Sequence, residues 1–237
     1  MSAPGRLALV GSGEYLPVMQ EIEGWLLQGR PSRYVQLATA AAPEGDDSLA
    51  HWHGLGRAAA ERLGVEQVVV DVRTRSDADD ERWVEAIRGA GLVYLSGGNP
   101  THLADSLRGS RVWEAIVREW RAGASLAGCS AGAMAMASEI GDFRHPGKAA
   151  VPGLGVLPDV RVLPHFDRLT HWMPDFTMPL MPKGALTLGI DEDTALLGQS
   201  LDDGVSWTFT PRGRLSAWIL DAEGKRRIED PLPLRVG

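Results

Sequence analysis

The sequence predicts an α/β fold of the three-layer αβα sandwich kind: a mainly parallel sheet with helices on both faces, plus antiparallel hairpins at the C-terminal end. Three observations carry this. Short apolar runs alternate with helical patterns through the first half of the chain, the signature of βαβ units. Several of those runs end in glycine-rich loops (Gly11-Ser12-Gly13, Ser96-Gly97-Gly98, Gly128 to Gly132), as strands entering tight turns do. From Val205 onward the pattern becomes alternation punctuated by Pro211-Arg212-Gly213 and Ala222-Glu223-Gly224, which reads as hairpins.

Taken in order, residues 6–10 form the first strand and residues 17–29 a helix with Val18, Ile22, Trp25 and Leu26 on one face. Residues 33–38 are the second strand, 40–47 a loop, and 48–63 a helix closed by Gly64. The third strand lies within 65–72, a helix within 79–88, and the fourth strand within 91–95. A helix starts at Thr101, another runs through 112–120, the fifth strand covers 124–126, and residues 133–137 are again helical. Residues 141–183, rich in Pro, Gly and aromatic side chains, read as an excursion that helps to form a site, with a strand at 160–163. Residues 186–190 and 194–197 read as a late strand pair around Asp191-Glu192-Asp193. Nothing looks like a repeat, a linker or a low-complexity tract, so residues 1–237 are expected to form a single domain. In a parallel sheet the loops at the strand C-termini share one edge. The loops after strands 1 and 4 and the turn after strand 5 should therefore be neighbours.

Composition narrows the function. A chain of 237 residues with 44% hydrophobic and 23% charged residues has an ordinary soluble balance. Its net charge of −7, with no Lys/Arg block, argues against nucleic acid as a partner. No apolar run is long enough to span a bilayer, so no membrane partner is expected. Residues 1–5 lead directly into an apolar strand without the basic start and long apolar core of a signal peptide. The single cysteine allows no internal disulfide and fits a reducing, cytoplasmic location. No cofactor is expected: a dinucleotide fingerprint starting at Gly11 would need glycine where Leu16 stands. Nor is a metal, since His51 and His53 flank Trp52 without a third ligand nearby.

The chemistry is concentrated in Leu126-Ala127-Gly128-Cys129-Ser130-Ala131-Gly132-Ala133. An apolar strand running into G-x-S-x-G and then a helix is the form of a nucleophile elbow, with Ser130 at the tip. Small residues around the serine let the backbone fold back on itself, and the Ala131 amide would point at whatever the hydroxyl attacks. A serine hydroxyl needs a base to take its proton and a third group to orient that base. Of the six histidines, His165 in Val162-Leu163-Pro164-His165-Phe166-Asp167 follows a strand and is held beside Pro and Phe, which suits a general base. His102 falls in a helical first turn, and His145 and His171 lie in the irregular region. The acid is left among Glu192, Asp142 and Asp159, with Glu192 in the clearest strand-end setting. The order Ser130, His165, Glu192 differs from the serine–acid–histidine order of α/β-hydrolases.

Ser96-Gly97-Gly98-Asn99, Gly128-Cys129-Ser130-Ala131-Gly132-Ala133, Pro164-His165-Phe166 and Gly189-Ile190-Asp191-Glu192-Asp193-Thr194-Ala195 stand in the order and at roughly the spacing of one family. Over most of its length the chain resembles the dipeptidase E/cyanophycinase family of serine peptidases. That resemblance implies a fold like that of class I glutamine amidotransferases, with Ser130 as nucleophile, His165 as base and Glu192 as the acid orienting it. It also implies an oxyanion site built from the amides of Gly98 and Ala131, with Asn99 lining the pocket and a small peptide as substrate. Monomers and homodimers both occur in the family. Departures concern specificity. Cyanophycinases carry Asp-Gln before the His-Phe pair and arginines after it. This chain has Leu163-Pro164 before, and only Arg168 ahead of Leu169-Thr170-His171-Trp172-Met173. The pocket is thus expected to be more apolar, with Arg144 or Arg168 left to hold a substrate carboxylate. The competing readings are an amidotransferase-like enzyme using Cys129, an esterase with the same triad, and a silent binding module of the same fold. The cysteine reading would require glycine where Ala127 and Ala131 stand.

Overall fold

The computed structural model describes residues 3–141, 149–172, 186–201, 206–221 and 224–237. Five parallel strands form the heart of the larger sheet. They are β1 (Leu7–Val10), β2 (Arg33–Leu37), β3 (Glu66–Val69), β4 (Leu92–Leu95) and β5 (Ser125–Cys129). Beyond β1 the sheet continues antiparallel through β10 (Thr194–Ser200), β11 (Ser206–Gly213) and β14 (Leu232–Arg235), giving the order β14-β11-β10-β1-β5-β4-β2-β3.

Alternate residues of each central strand enter opposite cores, which is why these strands read as continuous apolar runs. Leu7, Leu9, Val35, Leu37, Val93, Leu95 and Leu126 face one side. There they meet α3 (Glu81–Ile87), α4 (Pro100–Leu107), α5 (Arg111–Arg121) and α6 (Ala131–Met136). Ala8, Val10, Tyr34, Tyr94, Ala127 and Cys129 face the other side, against α1 (Gln20–Leu27) and α2 (Asp46–Leu63). These are the three predicted layers.

A second sheet, of order β13-β12-β9-β8, combines β8 (Val160–Leu163), β9 (Leu186–Ile190), β12 (Ala217–Asp221) and β13 (Gly224–Arg227). Its Val160, Val162, Leu188, Ile190, Ala217 and Ile219 join the first core. A small pair, β6 (Glu139–Ile140) with β7 (Val151–Pro152), completes the described strands, and α7 (Phe166–Trp172) follows β8.

The structure changes several sequence-based expectations. The expected helix at 17–29 starts as a 3-10 turn, Pro17–Met19, before α1, and the expected loop at 40–47 holds a 3-10 helix, Thr39–Glu44. The third strand is shorter than its apolar run and half-exposed, because β3 is the outer strand of the sheet. The late strand pair does not pair. β9 bonds to β8 and β12, whereas β10 bonds to β1 and β11, so Asp191-Glu192-Asp193 is a crossing from one sheet to the other. Pro211-Arg212-Gly213 likewise ends β11 in the larger sheet, and the chain then enters β12 in the smaller one. Hairpin pairing does occur between β10 and β11 and between β12 and β13. Local alternation sees a strand and a turn, but not which neighbour the strand will choose.

Candidate active site

Ser130 sits where β5 turns into α6, at φ 48° and ψ −108°, a conformation that costs a non-glycine residue energy and persists only where its surroundings enforce it. Close packing enforces it here. A Cβ on Gly128 would lie 2.5 Å from the Gly132 carbonyl carbon, and one on Gly132 would lie 2.2 Å from the Leu95 oxygen. Only glycines at both positions let strand, turn and helix approach so closely. The Ser130 amide donates to Val10 O at 2.9 Å, tying the elbow to β1.

His165 follows β8 and opens α7, also with a left-handed backbone (φ 50°). Its Nε2 lies 3.0 Å from Ser130 Oγ, and its Nδ1 lies 2.9 Å from Glu192 Oε1. A carboxylate oxygen accepts, so Nδ1 carries the proton and Nε2 presents its lone pair to the hydroxyl. Glu192 stands in the crossing between the sheets, and that crossing is held on every side. The Glu192 amide donates to Asp167 Oδ1 at 2.9 Å. Asp191 accepts from the Ser216 amide at 3.1 Å and from Trp218 Nε1 at 3.0 Å. Asp193 Oδ2 pairs with Arg214 Nε at 2.9 Å. Burial holds the Asp191 carboxyl above its usual range.

The loop after β4 comes to the same place. Its Gly97 and Asn99 amides are both engaged, the first by Glu14 Oε1 at 2.9 Å and the second by Ala40 O at 2.7 Å. The Gly98 amide between them, like the Ala131 amide at the start of α6, donates to no described residue. Gly98 has φ 132°, and a Cβ there would lie 2.4 Å from Ala40 O, so the loop passes close against the chain. The expected gathering of strand-end loops on one edge is therefore present.

Of the remaining sequence candidates, Asn99 is exposed, and its Oδ1 caps α4 by accepting the His102 amide at 3.0 Å. Arg168 is one of the two arginines, with Arg144, expected to meet a substrate carboxylate. Its Nε instead lies 2.9 Å from Glu192 Oε1, although 68% of its side chain is exposed. His102 Nε2 contacts the Arg73 carbonyl at 2.8 Å. Cys129 is buried, its thiol donates to Glu14 Oε2 at 2.7 Å, and burial first, then the adjacent carboxylate, push its pKa well up. That environment suppresses a thiolate. Asp159 has no described contact with His165, while Asp142, Arg144, His145, Met173 and the Trp172 side chain lie outside the described residues. Among the described residues no three His, Cys, Asp or Glu side chains are grouped to hold a metal ion, and no helix is long and apolar enough to cross a membrane. Sequence reasoning missed Glu14 and Asp167. Asp167 carried a weak signal, an acidic residue two positions after a histidine already assigned to the site, whereas Glu14 carried none.

A sequence pattern for peptidase family S51 matches residues 10–202. The chain belongs to peptidase family S51. In structure, it is similar to a peptidase from an acI-B1 actinobacterium, with a TM-score of 0.85 and 36% identity over 98% of this chain and 97% of that one. Among curated relatives it is 31% identical over 143 residues to a cyanophycinase of Nostoc sp., covering 56% of this chain and 48% of the relative. It is 27% identical over 187 residues to a cyanophycinase of Geminocystis herdmanii, covering 70% and 65%. The chain thus spans about half to two-thirds of the length of the curated relatives it matches. As a member of family S51 it shares the mixed α/β architecture, a largely parallel sheet extended by antiparallel strands.

Proposed function

We propose that this S51 chain is a serine peptidase of the dipeptidase type, cleaving small peptides through an acyl-enzyme on Ser130. The observation that carries the reading is the unbroken series from Ser130 Oγ to His165 Nε2 (3.0 Å) and from His165 Nδ1 to Glu192 Oε1 (2.9 Å). In the proposed reaction Oγ attacks the scissile carbonyl carbon while His165 Nε2 takes the hydroxyl proton. The resulting oxyanion accepts hydrogen bonds from the Gly98 and Ala131 amides. When the carbon–nitrogen bond breaks, the imidazolium returns its proton to the leaving amine. Water then attacks the ester with His165 again as base, releasing the acid product and restoring Ser130. Glu192 keeps the imidazole in the tautomer that both steps need.

Cys129 does not compete as nucleophile, because its thiol is buried and committed to Glu14. The substrate is proposed to be a small peptide rather than cyanophycin, since Leu163 and Pro164 stand where cyanophycinases carry Asp-Gln. Arg168 keeps its Nε on Glu192 Oε1 (2.9 Å), so only the terminal amines of its guanidinium are proposed to meet a substrate carboxylate, with Asn99 at the pocket rim. The test is treatment with a fluorophosphonate followed by peptide mass spectrometry. The expected adduct is on Ser130, and a dipeptide library then defines the substrate. A folded protein that takes no label, or takes it elsewhere, overturns the reading.

A further inference from the structure

The buried carboxylate of Glu14 lies at the junction of the three loops that build the site. It follows β1, and the residue is only 5% exposed. Its Oε1 accepts the Gly97 amide at 2.9 Å, and its Oε2 accepts the Cys129 thiol at 2.7 Å. One side chain therefore holds the residue before the proposed oxyanion donor Gly98 and the residue before the nucleophile Ser130. The next residue extends the clamp, since Tyr15 OH lies 2.7 Å from Ser96 Oγ. Tyr15 itself has φ 66°, and its amide donates to Glu23 Oε1 at 3.0 Å, so the turn is held in an unfavourable conformation from behind. A polar group this deeply buried is costly unless its hydrogen bonds are satisfied, and a core alone would be better served by an apolar side chain.

We propose that Glu14 is a positioning residue for acyl transfer: it fixes the Gly97–Gly98 loop relative to the elbow, so that the Gly98 and Ala131 amides converge on the oxyanion. The inference rests on the peptidase reading above. Glu14 touches neither substrate nor the reacting atoms, and acts through the two backbones it joins. Its engagement of the Gly97 amide on one side, with Ala40 O holding the Asn99 amide on the other, leaves the intervening Gly98 donor little freedom. Preorganised donors of this kind are most effective where charge develops in the transition state, not in the bound substrate.

The experiment compares Glu14→Ala and Glu14→Gln with wild type. The readouts are the rate constant of fluorophosphonate labelling and kcat and KM on the best library peptide, with circular dichroism and thermal unfolding confirming the fold. Glu14→Ala is expected to lower kcat and the labelling rate by about 10- to 100-fold while KM changes little. Glu14→Gln is expected to recover most of the loss. Its carbonyl oxygen still accepts the Gly97 amide, and its NH2 can face the Cys129 sulfur, a weak acceptor. A folded Glu14→Ala that labels and turns over like wild type overturns the inference. If Glu14→Ala does not fold, Glu14→Asp takes its place: its shorter stem cannot span both partners, and turnover equal to that of Glu14→Gln overturns the proposal. A wild type that takes no label defeats the peptidase reading and this inference with it. A labelled wild type beside an unaffected variant defeats the inference alone.

Discussion

Ser130 stands at the end of β5, deep in the eight-stranded sheet, whereas His165 and Glu192 hang from β8 and β9 of the four-stranded one. Every residue of β5 is buried, and the elbow is fixed by close backbone packing at Gly128 and Gly132. The other side of the site is wetter: the His165 side chain is 39% exposed and that of Glu192 15%. There, hydrogen bonds add to the packing of Leu163, Phe166 and Leu220, through Asp167 to the Glu192 amide and through Ser216, Trp218 and Arg214 to the flanking aspartates. The proposed nucleophile is thus preset by the core. Its proposed base and acid are aimed by a polar scaffold, which a single substitution can misdirect without unfolding the chain.

Three sets of substitutions break or sharpen this contrast, from the largest expected effect to the smallest. Ser130→Ala and His165→Ala are each expected to reduce kcat by about 10⁴- to 10⁶-fold, since members of such a unit fail together. Both should keep the wild-type circular dichroism spectrum, and turnover that survives Ser130→Ala sinks the mechanism. Glu192→Gln is expected to lower kcat by about 10³- to 10⁴-fold at nearly unchanged Tm, because the carboxamide supports the wrong imidazole tautomer. A silent Glu192→Gln would mean that the polar scaffold does not aim the base.

The third set acts on the packed side, where the Glu23 carboxyl is 1% exposed and is pushed by burial from 4.5 to about 7. Between those two values the folded state binds the proton more tightly than the unfolded chain does. Stability contributed there is present at low pH and falls as pH rises through the window. Glu23→Gln lacks this slope. In urea unfolding, its stability relative to wild type should rise by on the order of 3 kcal/mol between about pH 4 and about pH 8. A relative stability independent of pH would show that Glu23 does not titrate in the fold.

The elbow was legible because its requirement is local: small residues within a few positions of Ser130 meet the steric demand of one sharp turn. The same holds for the alternating strands and helices of the first half. The motif around Glu192 could suggest the acid, yet its reach to His165 depends on the chain changing sheets at 191–193, which no local pattern announces. Glu14 was invisible for a related reason. Its two partners lie 83 and 115 residues away, and nothing in Gly13-Glu14-Tyr15 points to either.

What the sequence determined by itself is the set of alternating strands and helices, the layers they impose and the serine at the elbow, all consequences of short-range periodicity and steric allowance. The tertiary structure alone decided which strands of the second half pair, and with them which carboxylate meets the histidine. It also decided that the Cys129 thiol is buried against Glu14, which disfavours its thiolate, while the next residue meets His165. Pairing and burial are properties of neighbours brought together by the sheet, and hydrogen bonds across such distances in the chain leave no periodic trace in it.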